Sequence, residues 1–121
     1  MKLLKDLTPD FMYSDDRGLL VQLCREGYSQ VNAVFTKKGA VRGNFHYHKH
    51  TKEAFFILSG KVRVTASRGD ETEIRSFETG DMFLVEEYVR HSFEYLEDTC
   101  LVGLYTVPVE SANGEKDIHT L

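Results

Sequence analysis

Apolar and polar side chains alternate with a period of two through nearly all of the chain after residue 18, and this alternation constrains the fold most. Successive side chains of a strand point to opposite faces, so the pattern is typical of half-buried strands. No window keeps a helical period, and turn-forming residues interrupt the runs at spacings of roughly 8–12 residues. The pattern predicts strands at residues 19–24, 30–36, 41–48, 53–58, 61–66, 73–77, 81–86, 91–96 and 100–107.

Many short strands in a chain of 121 residues predict a single all-β domain, either a sandwich or a barrel. We expect residues 1–29 to form an N-terminal arm with the first strand, residues 30–107 the barrel and residues 108–121 a polar tail that a neighbouring subunit could hold. Residues 3–11 suit either a short helix or a strand. Ser59-Gly60 predicts a hairpin between the strands at 53–58 and 61–66.

Composition limits the function. Hydrophobic residues make up 41% of the chain, enough for a core without disulfides, and the isolated Cys24 and Cys100 are expected to be reduced and packed. A net charge of −4 argues against nucleic acid or an anionic membrane as partner. No apolar run suits a signal peptide or a membrane span, which predicts a cytoplasmic protein.

Histidines are concentrated in one short stretch. His46, His48 and His50 alternate, and Glu53 follows them. Imidazole and carboxylate groups are common metal ligands, so the stretch either lines a site or forms a polar strand facing solvent. His50 lies among loop-forming residues and is expected to be exposed, as is His119 in the tail.

Strand phase relates this stretch to two others. Strict alternation places Arg42 and Asn44 on the face of His46 and His48. Glu53 shares a face with Phe55, and a third strand has polar and aromatic groups on one face. Polar groups on three otherwise apolar strands indicate the lining of a barrel interior. The residues of that third strand are His91, Phe93 and Tyr95.

The chain resembles the cupin superfamily. His46-x-His48-x4-Glu53-x6-Gly60 matches the first cupin motif, although its leading glycine is displaced to Gly39. Within residues 80–91 the second motif keeps its first glycine and its histidine. Glu86, Tyr88 and Tyr95 replace the proline, glycine and asparagine of that motif.

The resemblance implies a double-stranded β-helix, or jelly roll, and a homodimer. It also implies a metal site in which three imidazoles and one carboxylate hold one divalent ion per chain. Such ligands suit Zn, Fe, Mn, Ni or Co. The implied ligands are His46, His48, Glu53 and His91.

A narrower resemblance lies in residues 41–48 and 52–61, which are similar to small cupins of bacterial surface-sugar biosynthesis. These include the cupin domain of capsular polysaccharide reductases and, more distantly, nucleotide-sugar epimerases and ketoisomerases. Those relatives handle 4-keto sugars, and some use His and Tyr as acid–base residues without a metal. The expected ligand is therefore a small polar substrate such as a sugar or sugar nucleotide.

Together these features predict an isomerase or epimerase in which His91 and Tyr95 are catalytic. Arg42 suits a substrate phosphate or carboxylate, unless it pairs with Glu86. Two other functions stay open: an Fe(II)-dependent dioxygenase and a non-catalytic sensor or binding module. The residues predicted to bind substrate are Arg42, Asn44, Phe55 and Phe93.

Overall fold

A computed structural model describes residues 3–110 and 116–120. These residues form eleven strands and no helix. The strands are β1 (Leu4–Leu7), β2 (Phe11–Asp15), β3 (Gly18–Gln22), β4 (Gln30–Thr36), β5 (Val41–His46), β6 (Glu53–Ser59), β7 (Lys61–Arg68), β8 (Glu71–Glu78), β9 (Met82–Val85), β10 (Arg90–Tyr95) and β11 (Thr99–Tyr105).

Two antiparallel sheets form the body of the molecule. One has the strand order β1-β9-β6-β11-β4 and the other the order β5-β10-β7-β8. Within the described part of the chain, β2 and β3 pair only with each other. The non-sequential order is that of a jelly roll, which confirms the predicted all-β cupin barrel. No described residue belongs to a helix long and apolar enough to span a membrane.

The core lies between the two sheets. Phe55 and Ile57 of β6 point into it from one side, and Val64 and Phe93 point into it from the other. Ala54 and Phe56 of β6 belong to a second cluster on the outer face of the five-stranded sheet. Val21 of β3 and the segment after it, through Leu23, Cys24 and Tyr28, cover this cluster. Cys24 and Cys100 are both free and partly buried.

The predicted hairpin at Ser59-Gly60 is wrong. β6 pairs with β9 and β11, whereas β7 pairs with β8 and β10, so the chain changes sheets at this point. Gly60 has a φ of 107°, and a Cβ added to it would lie 2.5 Å from the carbonyl oxygen of Asp98. Ser59-Gly60 is therefore a corner between sheets that requires glycine.

The chain before β4 contains more strand than predicted. Residues 4–7 form a strand paired with β9, which decides between the two alternatives for residues 3–11. Phe11–Asp15 forms a further strand that was not predicted, and it pairs with Gly18–Gln22. The predicted strands at 41–48 and 100–107 end earlier, at His46 and Tyr105.

Part of the predicted tail packs against its own barrel. The backbone N–H groups of Tyr47 and His119 each donate to the other residue's carbonyl, both at 3.0 Å. His119 is only 30% exposed, so the expectation that it is exposed is wrong. Residues 111–115 and 121 of the tail, and residues 1–2 of the arm, lie outside the described residues.

Candidate metal centre

Four side chains from separate parts of the fold converge at one end of the barrel interior. His46, His48, Glu53 and His91 each offer one ligand atom, and these atoms all lie within 4.8 Å of one another. His46 is partly buried, and the other three are buried. The structure thus brings together the four residues predicted as metal ligands.

Both sheets contribute to this centre. His46 of β5 pairs directly with His91 of β10 in the four-stranded sheet. Glu53 is the first residue of β6 in the opposite sheet, where it pairs with Tyr105. His48 lies in the loop between β5 and β6, so closure of the barrel sets the distance between the two halves of the centre.

A bulge in β5 brings His46 to its position. Arg42 pairs with Phe93 and His46 with His91, so β5 advances four residues where β10 advances two. Gly43, Asn44 and Phe45 all have left-handed φ values, of 91°, 41° and 63°. A Cβ on Gly43 would lie 2.9 Å from the carbonyl oxygen of His91, so the bulge needs glycine there.

The bulge overturns the strict alternation predicted for residues 41–48. Arg42 still lines the cavity, but Asn44 is exposed and lies outside the residues that line it. The predicted substrate-binding role of Asn44 depended on that alternation, so the geometry gives no support to it. The two-residue alternation of side-chain direction is lost wherever a bulge inserts extra residues into a strand.

Two backbone carbonyls orient the imidazoles. Nδ1 of His91 donates to the carbonyl of Val89 at 3.0 Å, and Nδ1 of His48 donates to the carbonyl of Asp117. Each ring therefore turns Nε2 toward Oε1 of Glu53, at 2.7 Å from His48 and 3.1 Å from His91. Histidine ligands of metals are commonly fixed in this way through their second nitrogen.

The centre fits a divalent cation. Among the described residues, neither Nε2 of His48 nor Oε1 of Glu53 has a partner in hydrogen-bonding geometry, although both atoms are buried and close together. Lone pairs of an imidazole and a carboxylate that face each other need a positive charge between them. Nitrogen and oxygen ligands of this kind suit Zn or another of the predicted ions.

Electrostatics of the centre favour a negative carboxylate. Burial alone would raise the pKa of Glu53, but its contacts with His48 and His91 lower that pKa to about 2. Burial and the neighbouring imidazoles of His91 and His48 lower the pKa of His46 to about 4. For His48 burial lowers the pKa, but the contact with Glu53 outweighs it and raises the pKa overall.

The centre forms part of the wall of a cavity of about 290 Å³. Apolar and aromatic side chains form most of the lining, and Phe55, Phe93 and Tyr95 are among them as predicted from strand phase. A small, mostly apolar cavity with a few polar groups suits a ligand the size of one sugar ring. The lining residues are Val34, Arg42, Gly43, His46, Glu53, Phe55, His91, Phe93, Tyr95, Leu101 and Tyr105.

Arg42 has no acidic partner among the described residues. Glu86, the alternative partner considered from the sequence, lies 3.5 Å from Lys5 instead. Nε of Arg42 donates to the hydroxyl of Thr36 at 2.7 Å, and the exposed guanidinium lines the cavity. An anchored guanidinium of this kind can receive an anionic group of a ligand.

Sequence reasoning missed Tyr105. Burial and the charge of Glu53 raise its pKa to about 12, and its hydroxyl hydrogen-bonds the side chain of Asn32. Burial also raises the pKa of Tyr95. Both phenols are thus protonated at neutral pH. Tyr105 could have been found from strand phase, since it follows Leu101 and Gly103 on the inward face of β11.

Residues 13–102 match the family described as the polysaccharide biosynthesis C-terminal domain. The chain belongs to this family. The predicted resemblance to cupins of surface-sugar biosynthesis is thereby confirmed. A comparison with curated proteins found no match.

Solved structures share the fold. QdtA, a sugar 3,4-ketoisomerase from Thermoanaerobacterium thermosaccharolyticum in complex with TDP, has a TM-score of 0.79 at 18% identity, covering 97% of this chain and 87% of its own. The TDP-quinovose 3,4-ketoisomerase WlaRB from Campylobacter jejuni has a TM-score of 0.78 at 20% identity, covering 96% and 94%. The RmlC epimerase of Mycobacterium tuberculosis has a TM-score of 0.75 at 18% identity, covering 98% and 68%. At these identities the likeness establishes the cupin fold.

Proposed function

We propose that this protein is a metal-binding isomerase or epimerase that moves a proton next to the carbonyl of a keto sugar carried on a nucleotide. The observation that carries the proposal is the convergence of three imidazoles and a carboxylate beside a cavity that two protonated phenols also line. His46, Glu53 and His91 of this cluster form part of the cavity wall. The family match and the fold shared with sugar-nucleotide ketoisomerases and epimerases support the same class of reaction.

His46, His48, Glu53 and His91 are the proposed ligands of one ion per chain. A divalent ion held by them would polarise a substrate carbonyl and acidify the hydrogen on the neighbouring carbon. The ligand set alone does not select among Zn, Fe, Mn, Ni and Co. Metal analysis of the purified protein identifies the ion.

Tyr95 and Tyr105 are the proposed proton donors. Their raised pKa values keep both hydroxyls protonated, and both side chains line the cavity. An amide N–H from Asn32 to the phenol oxygen of Tyr105 leaves the phenol proton for a substrate oxygen. Phe55 and Phe93 are proposed to form the apolar wall against the sugar ring.

The residue proposed to remove the substrate proton differs from the predicted catalytic residue His91 when a metal is bound. His91 was predicted as both ligand and catalytic residue, but Nδ1 is held by Val89 and only Nε2 faces the centre. One nitrogen cannot bind an ion and accept a proton together. His46 has no contact with Glu53 comparable to those of His48 and His91, and its low pKa keeps it neutral. We assign proton removal to His91 in the metal-free protein, and to His46 in the metal-loaded protein if His48, Glu53 and His91 alone hold the ion.

The proposed proton transfers need no other reactant than the substrate and the side chains of the cavity. Returning the hydrogen to the opposite face of the same carbon inverts its configuration, which is epimerisation. Returning it to the former carbonyl carbon moves the keto group by one position, which is ketoisomerisation. In that case the hydroxyl on the first carbon gives its proton back to the phenol that protonated the carbonyl oxygen. Arg42 is proposed to bind an anionic group of the substrate, which in a nucleotide sugar is the diphosphate.

The proposal includes a homodimer in the cytoplasm. Apolar side chains on the β2–β3 ribbon are about half exposed, which is unusual for a face that meets only solvent. These side chains are Phe11, Met12, Tyr13, Leu19 and Leu20. Light scattering coupled to size exclusion measures the mass, and a monomer at micromolar concentration contradicts this part.

Hydrogen exchange tests the reaction. QdtA was crystallised in a mutant form with TDP-4-keto-6-deoxyglucose, and that compound is the first substrate to try. We expect the metal-loaded protein in D₂O to incorporate deuterium next to the keto carbon, detected by NMR. The Tyr95→Phe variant should lose most of this exchange, and Tyr13→Phe, on the exposed ribbon, should keep it. No exchange with TDP- or UDP-linked keto sugars contradicts the proposal, and oxygen uptake by the iron-loaded protein would favour a dioxygenase.

A further inference from the structure

Residues 116–120, here called the clasp, lie against the loop that carries His48. Backbone hydrogen bonds join His119 to Tyr47, and the ring of His119 lies 5.4 Å from the ring of Tyr47. The N–H of Asp117 donates to the carbonyl of Val109 at 2.7 Å. The clasp is therefore anchored at Asp117 and again at His119.

The carboxylate of Asp117 binds three consecutive backbone N–H groups. Oδ1 accepts from Lys49 at 2.7 Å, and Oδ2 accepts from His50 at 2.8 Å and from Thr51 at 3.2 Å. The side chain of Asp117 is only 9% exposed. Residues 49–51 lie outside the strands, so these contacts give the loop the hydrogen bonds that a sheet would otherwise supply.

The main chain of Asp117 acts on the centre itself. Its carbonyl accepts the hydrogen bond from Nδ1 of His48, which leaves Nε2 to face Glu53. The same residue thus fixes the tautomer of His48, its ring orientation and the loop between His48 and Glu53. Among the described residues outside the four proposed ligands, Asp117 alone hydrogen-bonds both the ring of His48 and the backbone of residues 49–51.

We propose that Asp117 is a positioning residue whose two sets of contacts set the metal affinity of the centre. The inference rests on the metal site of the proposed function. Groups that hold the second nitrogen of a histidine ligand typically contribute roughly 10- to 100-fold to metal affinity. Asp117→Ala keeps the carbonyl but removes its anchor, so the ring of His48 is free to turn.

Asp98 offers a matched control. Its carboxylate also caps a loop from far along the chain, accepting from the N–H of Lys38 at 2.8 Å. It precedes β11, whereas Tyr105 and the centre lie at the other end of that strand. Asp98→Ala should lower the melting temperature without changing metal affinity.

The test measures Zn²⁺ and Co²⁺ affinity by competition with a chromophoric chelator, with the Co²⁺ absorption spectrum as a report on ligand geometry. We expect Asp117→Ala to weaken Zn²⁺ binding roughly 10- to 100-fold and to alter the Co²⁺ spectrum. Asp117→Asn, which keeps one acceptor oxygen, should lie between Asp117→Ala and the wild type. Unchanged affinity in folded Asp117→Ala, or an equal loss in Asp98→Ala, overturns the inference.

A second readout separates this inference from the metal site. In metal-free protein at a pH high enough to make the His48 ring neutral, ¹⁵N NMR should show its proton on Nδ1, and Asp117→Ala should shift it toward Nε2. If the wild type binds no ion, the metal site fails while this change still supports the role of Asp117. If the tautomer is the same in both proteins, the role of Asp117 fails. Should Asp117→Ala not fold, Asp117→Asn serves for both measurements.

Discussion

The phenol of Tyr105 lies over Gly103, so that a Cβ added at residue 103 would be 3.0 Å from the phenol oxygen. The same Cβ would lie 3.5 Å from the ring of Phe55. The absence of a side chain at residue 103 thus makes room for a cavity group two residues further along β11.

Gly103→Ala is expected to displace the Tyr105 hydroxyl and lower turnover at least tenfold, while the free energy of unfolding falls by only about 1 kcal/mol. Tyr105→Phe should give a similar loss of turnover with little loss of stability, because it removes the proposed donor alone. Steady-state kinetics and urea denaturation measure both effects. Full activity in both variants would remove Tyr105 from the mechanism.

The variant His46→Asn tests whether His46 is needed to bind the metal or to accept the substrate proton. If His46 accepts the substrate proton, the variant keeps bound metal and loses roughly 100-fold or more in turnover. Metal content by mass spectrometry and deuterium exchange into the substrate are measured on the same sample. Loss of the ion from this variant would show that His46 is needed as a ligand and would return the search for a base to the other lining residues.

Acid should destabilise the metal-free protein. The pKa of His46 is about 4 in the folded chain against an ordinary value of 6.5, so the unfolded chain binds the proton first and stability falls as the pH drops from 6.5 to 4. Glu53, at about 2 against 4.5, adds a further loss as the pH falls from 4.5 toward 2. His48 acts oppositely, because its raised pKa gives stability that is lost at higher pH.

Urea denaturation at several pH values measures this dependence. For the partly exposed His46 we expect a loss on the order of 1–2 kcal/mol between pH 6.5 and pH 4.5, after allowing for solvent screening. His46→Asn should flatten that part of the curve. A wild-type curve that is flat over this interval contradicts the prediction.

Gly60→Ala should destabilise the fold by about 2 kcal/mol or more, because the added Cβ would meet the backbone of Asp98 at a left-handed φ. Gly18→Ala is the matched control, since Gly18 also has a positive φ but no heavy atom within 4 Å of its Cβ position. Thermal unfolding of both variants checks the difference. Equal losses would mean that backbone strain alone explains the effect.

Strand phase predicted the site where the strands are regular. From Glu53 to Ile57 of β6 and throughout β10 the alternation is unbroken, and Glu53, Phe55, Phe93 and Tyr95 line the cavity as expected. Strand phase failed in β5, where the bulge at Gly43 breaks the alternation, so that Asn44 is exposed and does not line the cavity. A glycine inside a strand pattern is itself a sign of a bulge, and Gly43 is such a glycine.

Other features could not be read from local sequence. Ser59-Gly60 has the composition of a tight turn, and only the sheet partners of β6 and β7 reveal a corner. The contact between Asp117 and residues 48–51 joins segments more than sixty residues apart, as the separations of 66–69 residues show. No periodicity or motif marks such a contact, because it depends on how the closed barrel places the two segments.

The clasp also has a consequence for the order in which the protein is made. Every strand of the barrel, and all four proposed ligands, precede residue 116 in the chain and leave the ribosome before it. A nascent barrel can therefore close while the ring of His48 still lacks its carbonyl partner. Tight metal uptake would then wait for the clasp to dock, so that the ion is acquired by a protein whose fold is already complete.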